Sequence, residues 1–528
     1  MNGARPQLLE FLLPTLFGLG CGVLYLVLGV SDTFQAMLVL TFLGVFGLFA
    51  LSRLELVRQA LLLGFGFAVV INPRKFFGVS DDGDMKLLAW TVTVLFVTAL
   101  DIGVFALLLG YARNFVAVAR RALPGLFKLL LVGFFVIMFV SLANAGDRDI
   151  AWAHIAYEGK NLALFLVVVA LAADRGNGGT ADALRWILIG LGLAMGLEMM
   201  IVGLEYLGVI PNGWGFVGIR VGSQIEALGD FEALRVGGTY QHPNYLSIAA
   251  AAMALVFWQV LMDSDEKRRS SVFYWLGFFG SVVCLVLTLS RAGWLGCFAG
   301  GLLYTAVMLK LRGMDWLRGL PWKYIVPALF VLLAVGLYFI DPIFDKLFHS
   351  SPLNISSRSE LNDMALQAIS TQPWIGWGIG QHGFAMQDYG RSDMYAQLAG
   401  LIPVAHNIYL LVVSEIGIVG GGVYFLIPAY AITHGIRTCA KAPDHELSGA
   451  LCAFSTALVV FLVADFFGPG LRKVDVANLY WLLLALVFGV AMTVREDAEN
   501  ASGRRTPGRP ASTECEAVVA HGDEKEAR

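Results

Sequence analysis

Ala405-His406-Asn407-Ile408-Tyr409-Leu410-Leu411-Val412-Val413-Ser414-Glu415-Ile416-Gly417-Ile418-Val419-Gly420 sets two polar residues at the mouth of an apolar run that continues to about residue 433. A run of that length is long enough to cross a bilayer, which takes roughly 17–25 apolar residues as a helix. Similar runs recur near 8–30, 36–52, 59–71, 87–110, 126–143, 160–173, 185–208, 244–262, 271–289, 293–309, 325–341, 447–467 and 476–494. The 528-residue chain is 57% hydrophobic and 15% charged, with a mean hydropathy of +0.70, values outside the range of soluble domains. The fold expected is all-α: a polytopic membrane protein of about 12–14 transmembrane helices, because lipid leaves backbone polar groups no partners except those within a helix. The runs at 59–71 and 160–173 are short, so one of them is a candidate re-entrant segment. The first run lacks a small-residue cleavage site and reads as a retained anchor.

Basic residues give the orientation. Arg53 with Arg58, Arg113 with Arg120-Arg121, Lys267-Arg268-Arg269, the segment Lys310 to Lys323, and Arg437 with Lys441 fall on alternate connections and read as cytoplasmic. The long connections 209–240 and 342–405 then face outward and both termini face the cytoplasm. Arg74-Lys75 and Arg472-Lys473 break the pattern. Residues 495–528, without apolar periodicity, read as a disordered cytoplasmic tail. Cys21, Cys284, Cys297, Cys439, Cys452 and Cys515 lie in spans or on the cytoplasmic side, so no disulfide framework is expected. A net charge of −3 and the lack of a phosphate-binding glycine loop argue against nucleic-acid binding and ATP hydrolysis.

Polar signals concentrate on the outward connections. In 342–405, Ser357-Arg358-Ser359-Glu360 has the form of a capping box, followed by Leu361, Met364, Ala365, Ala368 and Ile369 at helical spacing. This predicts a short amphipathic helix ending before Pro373, then a tight loop with Trp374, Gly376, Trp377, Gly378 and Gly380. Such a helix either carries part of a site or tethers the loop to the lipid surface. In Arg235-Val236-Gly237-Gly238-Thr239-Tyr240-Gln241-His242-Pro243-Asn244, a glycine-rich turn enters a helix at Pro243, where free backbone N–H groups and Arg235 make an anion site. Alternatively these residues only punctuate a helix start, with Arg235 snorkelling to lipid headgroups. Arg291, after Ser290, is either an interfacial anchor or a second phosphate ligand. Arg358 is either a solvated first-turn residue or a further cation of the same site. His406 begins a helix whose positive end disfavours imidazolium, keeping the ring in the neutral form a general base needs. Glu198, Glu205, Glu415, Asp101 and Asp465 sit inside spans and require polar partners that spacing does not identify.

Together these residues resemble the O-antigen ligase and O-antigen polymerase superfamily of bacterial envelope glycosyltransferases. The resemblance rests on His406-Asn407 with nine residues to Gly417 and then Gly420, Thr288-Leu289-Ser290-Arg291-Ala292-Gly293, Gly237-Gly238-Thr239 with His242-Pro243-Asn244, and Arg358 followed by Pro373 and Gly376-Trp377-Gly378. It covers roughly Arg185–Gly422. It implies a helical glycosyltransferase fold in the bacterial inner (cytoplasmic) membrane, taking a glycan from undecaprenyl pyrophosphate on the periplasmic side without cofactor, nucleotide sugar or metal, and inverting the anomeric centre. By that resemblance His406 deprotonates the acceptor hydroxyl and Arg235 and Arg291 grip the pyrophosphate, with Arg358, His242 and Asn407 in support. The implied partners are the lipid-linked glycan, membrane lipid, and an acceptor that is lipid A–core for a ligase or another glycan for an O-antigen or exopolysaccharide polymerase.

The organisation expected is N-terminal transmembrane helices over 1–184, a ligase- or polymerase-like core over 185–433 with the periplasmic loop 342–405, C-terminal transmembrane helices over 434–494, and the tail. A transporter of polysaccharide or lipid is the alternative from another class. Transporters place ionisable groups at the bilayer midplane; here most motifs fall at helix ends, while Glu198 and Glu415 lie within spans.

Overall fold

The computed structural model describes residues 55–72, 74–76, 96–98, 100–101, 103–104, 107, 115–173, 179–216, 219–228, 231–262, 272–318, 352–383, 385 and 405–501. The expected spans at 8–30, 36–52 and 325–341, most of 87–110, and the end of the tail lie outside these residues. The helices are α1 (Glu55–Val70), α2 (Phe115–Ala122), α3 (Gly125–Ser141), α4 (Arg148–Ala173), α5 (Gly179–Tyr206), α6 (Pro243–Met262), α7 (Val272–Leu287), α8 (Arg291–Arg318), α9 (Pro352–Thr371), α10 (Ile408–Lys441), α11 (Ser448–Ala464) and α12 (Val474–Ala501). Among the described residues, seven helices are long and apolar enough to cross a bilayer, and α1, α7 and α11 are shorter apolar helices. The chain is an all-α, multi-pass membrane protein.

Burial sorts the helices into layers. The spanning window of α12 is wholly enclosed and α6 is 89% buried, whereas α3 and α8 are 28% buried. The outer helices expose apolar stripes at helical spacing, Leu129, Val132, Val136 and Val140 on α3 and Leu295, Phe298 and Leu302 on α8. Such stripes suit hydrocarbon as their neighbour. Inside, α5 packs on α1 and α7 through small residues, Gly190 against Leu63 and Gly280 against Met195, which bring backbones close where lipid gives no hydrophobic drive.

Four local features depart from the sequence expectations. The helix expected from residue 160 begins at Arg148, because its polar residues are satisfied within the protein: Lys160 pairs with Asp101 at 2.7 Å and Asn161 donates to Glu158 at 3.0 Å. Helix α9 starts at Pro352, so Ser357 lies inside it and the capping-box motif does not mark its first turn. Proline at a first helical position has the required φ already set. Helix α12 runs on to Ala501, past the expected start of the tail. The 209–240 connection also contains two hairpins, β3 (Gly215–Phe216) with β4 (Ile219–Arg220) and β5 (Ser223–Leu228) with β6 (Phe231–Val236), after a short pair β1 (Arg74–Phe76) and β2 (Phe96–Thr98).

The bundle has two chemically different ends. One gathers the last turns of α3, α5, α7 and α11 with the first turns of α4, α6, α8, α10 and α12, and carries the motif residues. The opposite end carries Arg58 bonded to Asp182, Arg312 to Pro443 O, and His445 to Asp497, with Arg120, Arg121 and Lys441.

Candidate functional site

The turn before α6 is built by carboxylates. Glu198 accepts from Thr239 N and Thr239 Oγ1, both at 2.8 Å, and Glu205 accepts from Gly238 N at 3.0 Å. Gly238 sits at φ 52° with Glu198 where a Cβ would be, so only glycine fits. These two glutamates therefore shape a loop. Arg235, 6% exposed, follows from β6 and donates Nε to Thr288 O at 3.0 Å and Nη2 to Asn244 Oδ1 at 2.8 Å. Ser290 Oγ donates to the same Asn244 oxygen at 3.1 Å, which joins the end of α7 to the start of α6. Arg291 follows directly, exposed, as the first residue of α8.

His242 accepts from Asn244 N through Nδ1 at 3.1 Å, so that nitrogen carries no proton and the ring acts as a helix cap. Its ring packs on Tyr245, 4.7 Å between centroids, and Lys473 Nζ lies 5.4 Å from the same Tyr245 ring. Burial, then the charges of Arg235, Lys473, His406 and Arg358, hold the His242 imidazole down to about 3. Residues from β6, α6, α9, the start of α10 and the α11–α12 connection thus act on one imidazole.

Asn407 caps α10, its Oδ1 accepting from Tyr409 N at 2.9 Å and Leu410 N at 3.3 Å. Ile408 N donates to Asp465 O at 3.0 Å, and the Asp465 carboxylate takes Gly470 N and Leu471 N, both at 2.9 Å. This fixes His406 beside the connection that carries Lys473. Burial, then the Arg358 charge, holds the His406 imidazole down to about 4, so the ring is neutral near pH 7. Among the described residues the His406 ring has no hydrogen-bond partner, and the residue is half-buried.

Helix α10 is broken at Gly417, where φ is 72°. The break frees Ser414 O and Glu415 O, which accept from Trp377 N and Gly378 N, both at 2.9 Å, while Ile418 N donates to Pro373 O at 2.8 Å. A side chain at Gly417 would run into Trp374 O. The loop after α9 is thereby knitted into the helix that follows His406, and the apolar face of α9, with Leu361, Met364, Ala365 and Ala368 buried, packs on α10. Loop anchors come from elsewhere too: Asn144 Nδ2 donates to Gly376 O at 2.8 Å, Ile379 N to Ser141 Oγ at 3.1 Å, and Gln381 takes Asp147 N and gives to Asp147 O, both at 2.9 Å. Beneath the loop, Arg472 is ion-paired to Glu415 and lies 3.3 Å from His154 Nδ1.

Arg235, His242, Arg358, His406 and Asn407 come together at one end of the bundle, with Arg291 next to Ser290 in the same region. Arg472 and Lys473 were not singled out as site residues, though their departure from the basic pattern of the connections was the available signal. His382 carried no motif and no signal. It is 2% exposed, and burial, then the Arg472 charge, keeps its imidazole down to about 3.

Residues 276–425 match the family described as O-antigen ligase. No curated protein matches the chain. The matched segment contains Arg291, Arg358, His406, Asn407 and Gly417, and supports the chain's place in the O-antigen ligase and polymerase superfamily, with a glycosyltransferase-like activity on a lipid-linked glycan and an acceptor. Arg235, His242, Arg472 and Lys473 lie outside the matched segment.

Proposed function

We propose that this protein is an inverting O-antigen ligase-like glycosyltransferase that moves a glycan from undecaprenyl pyrophosphate onto an acceptor hydroxyl on the periplasmic side of the inner membrane. The observation that carries the reading is a neutral, accessible imidazole at a helix start, His406, set among cations contributed by separate parts of the chain. In the reaction the acceptor oxygen attacks the anomeric carbon and its proton passes to His406. The carbon–oxygen bond to the lipid pyrophosphate breaks with its electron pair on the leaving group. Arg235, Arg291, Arg358 and Lys473 supply positive charge where that negative charge develops, in a site partly shielded from water. Arg235 also spends Nε and Nη2 on protein acceptors, so its charge is held in fixed orientation. The basic residues at the opposite end of the bundle support a cytoplasmic reading of that end and, with it, of both termini.

The ligase reading is preferred over a polymerase because the spacing from His406-Asn407 to Gly417 and Gly420 resembles the ligase branch, while the family match supports either. A transporter is disfavoured because Glu198 and Glu415 have fixed partners, Thr239 and Arg472, at the motif-bearing end. The decisive variant is His406→Ala in reconstituted vesicles. It is expected to assemble normally and to bind lipid-linked donor, with transfer reduced by about 10²–10⁴. Transfer within about threefold of wild type, far short of the loss of a general base, would remove His406 from the chemistry. In a deletion strain, accumulation of polymerised but unligated lipid-linked glycan supports the ligase, and accumulation of single repeats would replace it with the polymerase.

A further inference from the structure

We propose that His382 is a positioning residue for the transfer reaction, fixing through its neutral imidazole the backbone from which His406 projects. The inference rests on the reading of His406 as the base. His382 Nε2 accepts from Ala405 N at 3.2 Å, the peptide immediately before His406. With Nε2 an acceptor, the ring proton belongs on Nδ1, which lies 2.6 Å from Ser414 Oγ and donates to it; Ser414 Oγ in turn donates to Leu411 O at 2.7 Å. Each donor in this chain has an acceptor only while the imidazole is neutral, since a proton on Nε2 would face the Ala405 N–H. Ser414 belongs to the turn of α10 whose own carbonyl receives Trp377 N. His382 therefore connects three pieces that set the position of His406: the loop after α9, the first turns of α10, and the residue immediately before His406. Asn407 fixes the helix side of His406 by capping, and His382 fixes the other side.

The geometry separates two conservative replacements. The glutamine amide reaches the place of Nε2 and can accept from Ala405 N–H, whereas the asparagine amide reaches only the place of Nδ1 and serves Ser414 alone. Full-length His382→Gln, His382→Asn and His406→Ala proteins are compared in vesicles, with undecaprenyl-pyrophosphate-linked glycan extracted from the source cells as donor and the lipid fraction of the deletion strain as acceptor. His382→Gln is expected to keep kcat within about threefold, and His382→Asn to lose about tenfold to a hundredfold in kcat with donor KM within about twofold, the scale of cost for a small misplacement of a reacting group. In a His382→Asn/His406→Ala protein the asparagine change should cost nothing further, because it acts only through His406. Equal kcat for the Gln and Asn proteins, a loss confined to KM, or an undiminished asparagine effect in the double variant each overturns the proposal. The two readings fail separately: full transfer by His406→Ala removes the base whatever His382 does, while a silent His382→Asn beside an inactive His406→Ala removes only the positioning role.

Discussion

At the scale of single residues, protonation is the sharpest test. His406 is held near 4 against an ordinary value of about 6.5, so the neutral base persists through mild acid. The acid limb of kcat/KM, which reports the free enzyme, is expected at about pH 4. An anionic pyrophosphate bound beside the ring favours imidazolium, so the limb of kcat should lie at higher pH. Transfer rates measured between pH 4 and 8 check both, and a kcat/KM limb near the unperturbed value would mean that His406 is solvated. Stability has the same sign: His242, His382 and His406 are all depressed, so their contribution is whole above about pH 6.5 and is lost as pH falls through about 4 for His406 and about 3 for His242 and His382. Residue roles were unevenly legible. Asn407 was given only a supporting part, although its role as a cap is local, with partners two and three residues away. The role of His382 was not legible, because its partners lie 23 and 32 residues distant.

At the scale of elements, Gly417 decides how α9, its loop and α10 assemble. The spacing from His406 marked the glycine without giving its use; the structure puts a backbone break there that accepts a loop, while Gly420 packs against Ile137 of α3. Gly417→Ala forces a side chain into positive φ, at about 1–3 kcal/mol, and against Trp374 O. A lower thermal midpoint in detergent is expected, together with reduced transfer, because the loop carries His382. An unchanged midpoint would show that the break is dispensable. The start of α4 was misread for a related reason: polar residues end an apolar run on paper, yet Lys160 and Glu158 stay helical because Lys160 finds Asp101 outside the helix and Glu158 finds Asn161 one turn on within it.

At the scale of the whole molecule, the motif-bearing end should face outward. Cysteines introduced at Asn212 and Gln367, exposed at that end, are expected to react with an impermeant thiol reagent added to intact spheroplasts, and one at Arg318, exposed at the opposite end, only after lysis. Labelling of position 318 alone before lysis would invert the orientation and with it the periplasmic reaction. The sequence by itself determined that this chain is embedded in a membrane as helices, near which residues most of the described helices begin and end, and that its polar motifs cluster at helix starts. Those properties follow from local demands: apolar length to match the bilayer, and backbone hydrogen bonds closed within each segment. Only the tertiary structure decided which polar groups meet. Glu198 finds Thr239 across 41 positions, Arg472 finds Glu415 across 57, and Ile379 finds Ser141 across 238. Hydrogen bonds and ion pairs need atoms a few ångströms apart, and that proximity is set by how the helices pack, which no local pattern records.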